Sequence, residues 1–352
     1  MTASVEDVED VEDKVLVPVR TPGSRRRSIG LVAALVLLTA LLVLSLVVGS
    51  KAMAPTVIWD ALFDPAADSD HFAIRDFRLP RTIVGLVVGV ALGVSGALVQ
   101  ALTRNPLADP GILGVNAGAS FAVTVAVGVF GIDDIRGYLW FALAGALIVT
   151  AMVLLLGSTR RGRSPVMMVL AGVCVGAVLG GATSALTLTD PDAFDRMRSW
   201  EAGSILGRPL DVVWPILPFF AVALVLAFVV SGPLNAMALG DELAAAQGVR
   251  LGRTRVLAIA ALTLLAGGAT AVAGPIGFVG LMVPHVSRWI VGPDQRWIFA
   301  YSALLAPSLL LASDILGRVV MHPGEIPVGI VTAFVGAPVL IVLVRRRKAS
   351  GL

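Results

Sequence analysis

The chain has 352 residues, of which 57% are apolar and 14% charged, with a formal net charge of +3 and a mean hydropathy of +0.90. A soluble domain carries about a quarter charged residues, so this composition excludes an ordinary soluble enzyme. So small a net charge gives no reason to expect a nucleic-acid partner.

The chain opens on an acidic repeat, Val5 to Asp13, with no apolar period that would pack. Residues 1–28 are read as a disordered cytoplasmic tail. Arg25, Arg26 and Arg27 precede the first apolar run, near 29–49, and Ala52-Met53-Ala54 follows it. The run is too long for a typical signal core, so it is read as an uncleaved anchor. Further runs follow near 82–102, 113–130, 138–157, 165–188, 211–231, 255–273, 275–291, 297–317 and 327–344. A membrane-crossing helix needs about 20 apolar residues. The runs are continuously apolar rather than alternating, which predicts helices and excludes a barrel. The expected fold is an all-α integral membrane protein with about ten transmembrane helices. An even number puts both termini on one side. With the termini in the cytoplasm, two thirds of the 27 basic residues fall in inner segments, as the positive-inside rule requires.

Several spans carry local signals. Gly85, Gly89 and Gly93 recur every fourth residue in the second span, making a smooth face for close packing in the middle of a bundle. Gln100 to Ala119 and Gly274 to His285 are interrupted by Pro and Gly, which predicts two broken segments in related halves of an inverted repeat. The longest inner loop, 232–254, holds an Ala-rich stretch opened by Asp241 and Glu242 and closed by Gly248, read as one or two short helices. They present a smooth face to a partner's cleft or simply connect two spans.

Other chemistry is missing. Asp211, Arg288, Asp314 and Arg318 lie near span ends and the span middles carry no charge, which disfavours a stand-alone proton- or sodium-coupled transporter. Cys174 is the single cysteine, and His71, His285 and His322 make no metal-ligand spacing. A phosphate-binding loop needs Gly-Lys-Ser/Thr, and Lys14, Lys51 and Lys348 do not follow a glycine. An ATP-driven process would need another chain as motor.

Taken together, Arg78-Leu79-Pro80-Arg81, Gln100 to Gly118, Leu239-Gly240-Asp241-Glu242, Gly274 to His285, Ser313 to Arg318, and Pro327-Val328-Gly329 with Gly336-Ala337-Pro338 resemble the permeases of type II ABC importers. The resemblance covers 29–347, leaving 1–28 and 348–352 as cytoplasmic tails. It implies ten helices in a bacterial cytoplasmic (inner) membrane, a second permease subunit, identical or homologous, two ATPase subunits that bind the ATP, and an extracytoplasmic substrate-binding protein. The chain itself would hold no cofactor or metal and catalyse no reaction. The cargo implied is a ferric siderophore, with haem or cobalamin as alternatives. Residue by residue, Arg78, Arg81 and Arg318 match arginines that dock glutamates of the binding protein. Leu239, Gly240, Asp241, Glu242, Ala245 and Gly248 match the coupling helices in the ATPase cleft. Asn105 and Leu107, with Ser164, Pro165 and Val166, match the inner gate. Arg78, Arg81 and Arg318 are therefore expected to form a positive patch on the outer face.

Overall fold

The computed structural model describes residues 23–348, apart from 50, 52, 65, 67, 133, 160, 161, 164, 190, 322 and 323. In chain order the helices are α1 (Ser24–Val47), α2 (Pro55–Phe63), α3 (Ser69–Phe72), α4 (Leu79–Thr103), α5 (Val115–Gly128), α6 (Ile135–Leu156), α7 (Pro165–Thr189), α8 (Pro191–Glu201), α9 (Leu210–Val213), α10 (Leu217–Ala238), α11 (Asp241–Ala246), α12 (Leu251–Ala273), α13 (Val279–Val291), α14 (Gln295–Val320) and α15 (Val328–Lys348). A π-helical turn, Ala73–Arg78, joins α3 to α4, and a 3-10 turn, Pro110–Leu113, precedes α5. Two-residue strands, β1 (Ser158–Thr159) and β2 (Gly162–Arg163), pair just before α7.

Seven helical segments among the described residues are long and apolar enough to cross a membrane, and α5, α13 and the apolar part of α15 are shorter apolar helices. These ten elements coincide with the ten apolar runs, with four differences. α5 and α13 have 14 and 13 residues, or roughly 20 Å at 1.5 Å per residue, because the Pro/Gly breaks consume one end of each run. The second helix extends back through the π turn to Ser69. The run expected at 211–231 is shifted. Pro215 has no backbone N–H to donate to the Asp211 carbonyl, so the ladder of α9 lapses after the Trp214 N to Leu210 O bond. α10 then continues past Gly232 and Pro233 to Ala238. Helix also begins at Ser24 and takes in Arg25, Arg26 and Arg27, since arginine is a good helix former. The acidic tail 1–22 and residues 349–352 lie outside the described residues.

The glycine ladder of α4 does what its spacing predicted. A Cβ on Gly85 would lie 2.7 Å from Leu311 Cδ2 and one on Gly93 2.5 Å from the Ser302 carbonyl oxygen, while one on Gly89 would strike Pro307. α14 therefore lies directly on the α4 backbone, and α12 and α13 cover other faces of α4. Small residues let helices approach where there is no hydrophobic difference between lipid and side chain to drive association. Gly118 of α5 and Gly145 of α6 oppose each other in the same way.

Candidate functional site

α4 has 25 residues, about 37 Å at 1.5 Å per residue, enough to cross a bilayer core of about 30 Å. Two clusters of charge lie at its opposite ends.

Arg78, Arg81 and Arg318 come together at the first end. The C-terminus of α1 has the unsatisfied carbonyls that every helix end leaves and no basic residue in its own last turn. Arg78 Nη1 donates to the Leu46 and Val47 oxygens at 2.7 and 2.9 Å, and its Nη2 to the Lys51 oxygen at 2.5 Å. Arg318 Nη1 donates to the Ser45 and Val48 oxygens at 2.8 and 2.9 Å. The two arginines thus cap α1 from outside it, where the helix dipole favours positive charge. Asp314 holds the other guanidiniums. Its Oδ1 accepts from Arg81 Nε and Nη2 at 3.0 and 2.6 Å, and its Oδ2 from Arg318 one turn on. Glu325 Oε2 takes Arg81 Nη1 at 2.5 Å.

Arg78, Arg81 and Arg318 are only 8%, 7% and 4% exposed. The three are adjacent, and each fork is turned inward onto carbonyls or carboxylates that would otherwise be buried without a donor. A cavity of about 410 Å³ opens beside them, lined also by Lys51, Asp70 and Glu325.

The first break begins where α4 ends. Arg104 has φ 51°, and it and Phe278 (φ 66°), at the second break, are the non-glycine residues in the left-handed region among the described residues. Non-glycine residues there are uncommon and mark turns or strain. Asn105 Oδ1 accepts from Leu107 N at 2.9 Å, which closes the turn and leaves Leu107 exposed. Asp109 Oδ1 caps the 3-10 turn through Gly111 N at 2.8 Å, and Gly114 at φ 77° starts α5. The second break runs from Gly274 to Phe278. The start of α13, just after the second break, lies on α4 just before the first: Gln100 Nε2 donates to the Leu281 oxygen at 2.9 Å, and Gly96 faces Gly280 backbone to backbone. α7 crosses the first break with Gly172 against the Ile112 oxygen. Pro165 and Val166 form its first turn; Ser164 lies outside the described residues.

The second charge cluster joins Arg104 to the Ala-rich loop. Gly240 at φ 120° and Gly248 at φ 82° bracket α11, matching the expected acidic start and glycine stop. The loop itself is shorter than 232–254, because α10 and α12 take its two ends. Leu239, Glu242, Ala245 and Gly248 are exposed, and Ala244 is the buried side of α11. Asp241 Oδ1 takes Arg104 Nη2, and Asp241 Oδ2 takes Arg255 Nη2 at 2.5 Å. Burial pushes the Asp241 carboxyl up, but the hydrogen bonds and charges of Arg255 and Arg104 outweigh this and hold it below its ordinary value.

Sequence reading singled out Asp241, Asp314 and Arg318 but missed the partners Arg104, Arg255 and Glu325. Arg104 and Arg255 lie 137 and 14 residues from Asp241, and Glu325 lies 244 residues from Arg81. No local spacing relates them. The one signal available was an arginine where a helix-ending glycine would be expected.

The described residues hold no group of three metal-ligating side chains. The model of the FecCD transport family matches residues 37–346. The chain is 46% identical over 326 residues to the ferric enterobactin transport system permease protein FepD of Escherichia coli (strain K12), covering 92% of this chain and 97% of that one. It is 37% identical over 320 residues to the iron(3+)-hydroxamate import system permease protein FhuB of Bacillus subtilis (strain 168), covering 90% and 83%. Among solved structures it superposes with TM-score 0.80 and 28% identity on a chain assigned to a metal-chelate type ABC transporter in an inward-facing conformation, covering 91% of this chain and 99% of that one. The chain is a multi-pass membrane protein of the FecCD transport family.

Proposed function

We propose that this chain is the permease subunit of an ATP-driven importer that passes ferric-siderophore chelates into the cytoplasm. The observation that carries the reading is 46% identity, over 97% of its length, to a permease named for ferric enterobactin. A two-ended α4 supports the division of labour. The end holding Arg104 and α11 faces the cytoplasm with both termini, and α11 seats in the cleft of a separate ATPase subunit through its exposed Leu239, Glu242 and Ala245. Asn105 and Leu107, next to that cluster, form the inner gate with the start of α7.

The end holding Arg78, Arg81 and Arg318 faces outward and receives an acidic substrate-binding protein. Three guanidiniums against Asp314 and Glu325 leave that cluster net positive. Because the forks are already engaged within the chain, they act on the partner mainly through their field, which steers encounter and registry. A second permease subunit completes the pathway. The test is uptake of iron-labelled enterobactin, hydroxamate and citrate chelates by a strain lacking this chain, with and without its return. Restored uptake of one chelate supports the reading. Restoration of haem or cobalamin uptake alone would assign the cargo to those classes.

A further inference from the structure

Arg104 closes α4 in the left-handed conformation, which helix ends ordinarily give to glycine or asparagine. A long side chain at that place is unfavourable for the backbone, so what its guanidinium does is informative. It reaches Asp241, the first residue of α11, and the other oxygen of that carboxylate holds Arg255 of α12. One carboxylate therefore ties the end of α4, the start of α11 and the first turns of α12. The Arg104 and Asp241 side chains are 45% and 38% exposed, and ion pairs this exposed add little to stability. Their yield is in geometry. The residues after Arg104 are the Asn105–Leu107 turn, and a cavity of about 140 Å³ beside the cluster, lined by Thr103, Leu113 and Met168, leaves the linked side chains room to shift.

We propose that Arg104, Asp241 and Arg255 form a latch that passes displacement of α11 to the α4 break and the Asn105–Leu107 turn. The inference rests on the reading of α11 as the ATPase-coupling element and of that turn as the gate. Arg104 is a positioning residue in it, acting on the gate through the backbone it terminates.

The test is Arg104→Gly in the assembled transporter with its ATPase and binding protein. Glycine suits the left-handed conformation, so the variant removes the latch while easing the backbone. The complex is expected to assemble, melt no lower than wild type and hydrolyse ATP, while uptake per ATP hydrolysed falls at least tenfold. Asp241→Asn added to Arg104→Gly should cause no further fall in uptake per ATP: it also frees Arg255, but the path from α11 to α4 is already cut once the Arg104 side chain is gone. Wild-type uptake per ATP in Arg104→Gly, losses that multiply in the double variant, or failure to assemble would each overturn the latch. Ala245→Trp separates this from the underlying reading. If that variant loses its ATPase while Arg104→Gly transports normally, only the latch is wrong. If it assembles and transports as wild type, α11 is not the coupling element.

Discussion

Gly96 of α4 and Gly280 of α13 meet with no side chain between them, so that a Cβ on Gly96 would run into the carbonyl of Gly280. This contact joins the central helix to the element that follows the second break. Beside it, Gln100 ties α4 to the Leu281 oxygen.

Gly96→Val should therefore be strongly destabilising, by about 3 kcal/mol or more, since the obstacle is backbone and overpacking alone costs 1–3 kcal/mol. Gly252, in the first turn of α12, has open space at its Cβ position, and Gly252→Ala should leave stability equal or slightly raised. Thermal melting of both variants in detergent checks this. A Gly96→Val protein that melts like wild type would contradict the close approach.

Asp314 is 1% exposed and is shared by Arg81 and Arg318. Asp314→Asn leaves two buried guanidiniums short of a counter-charge, which costs about 3–5 kcal/mol for a broken buried pair. The expected result is a large fall in melting temperature and in yield. Glu325→Gln should be milder, because the Glu325 side chain is 26% exposed and Arg81 keeps Asp314.

The same Glu325→Gln variant bears on docking. It removes one of the two carboxylates that offset Arg78, Arg81 and Arg318, so an acidic binding protein should be captured faster at low salt. Raising ionic strength should erase the gain, because exposed charges are screened within about 10 Å at 0.1 M. Association rates of the loaded binding protein at two salt concentrations measure it. Equal rates for variant and wild type at low salt would mean that the arginines serve α1 and α14 alone.

Ala245 is exposed on α11, so Ala245→Trp should fold and insert normally yet carry away less ATPase on purification and transport less. Co-purification and uptake are read on the same preparation.

Asp241 lies below its ordinary carboxyl value because Arg255 and Arg104 outweigh its burial. A depressed folded pKa means that its contribution is present above the unfolded value, near 3.9, and is lost as pH falls through the lowered one. Coupling measured in vesicles between pH 6 and 8 should show no step from this group. Asp241→Asn should lower it equally across that range.

Composition and apolar run length determined the class, the approximate span count and the packing face of α4, because each depends on local hydropathy or on spacing within one helix. The glycine ladder is legible for that reason: a period of four puts Gly85, Gly89 and Gly93 on one side whatever packs there. The acidic start and glycine stop of α11 were legible as capping chemistry. The shift of α10 was not, since a membrane helix tolerates Pro233 when neighbours cover its backbone. Tertiary structure alone decided what the charges do. From sequence, Arg78, Arg81 and Arg318 were expected to form a positive patch, with nothing local to say which groups their forks would meet. In the fold they are drawn inward by the bare carbonyls of α1 and by Asp314 and Glu325. Arg104 and Arg255 likewise share the Asp241 carboxylate only because α4 ends where α11 and α12 begin, a relationship between distant segments that no window of sequence contains.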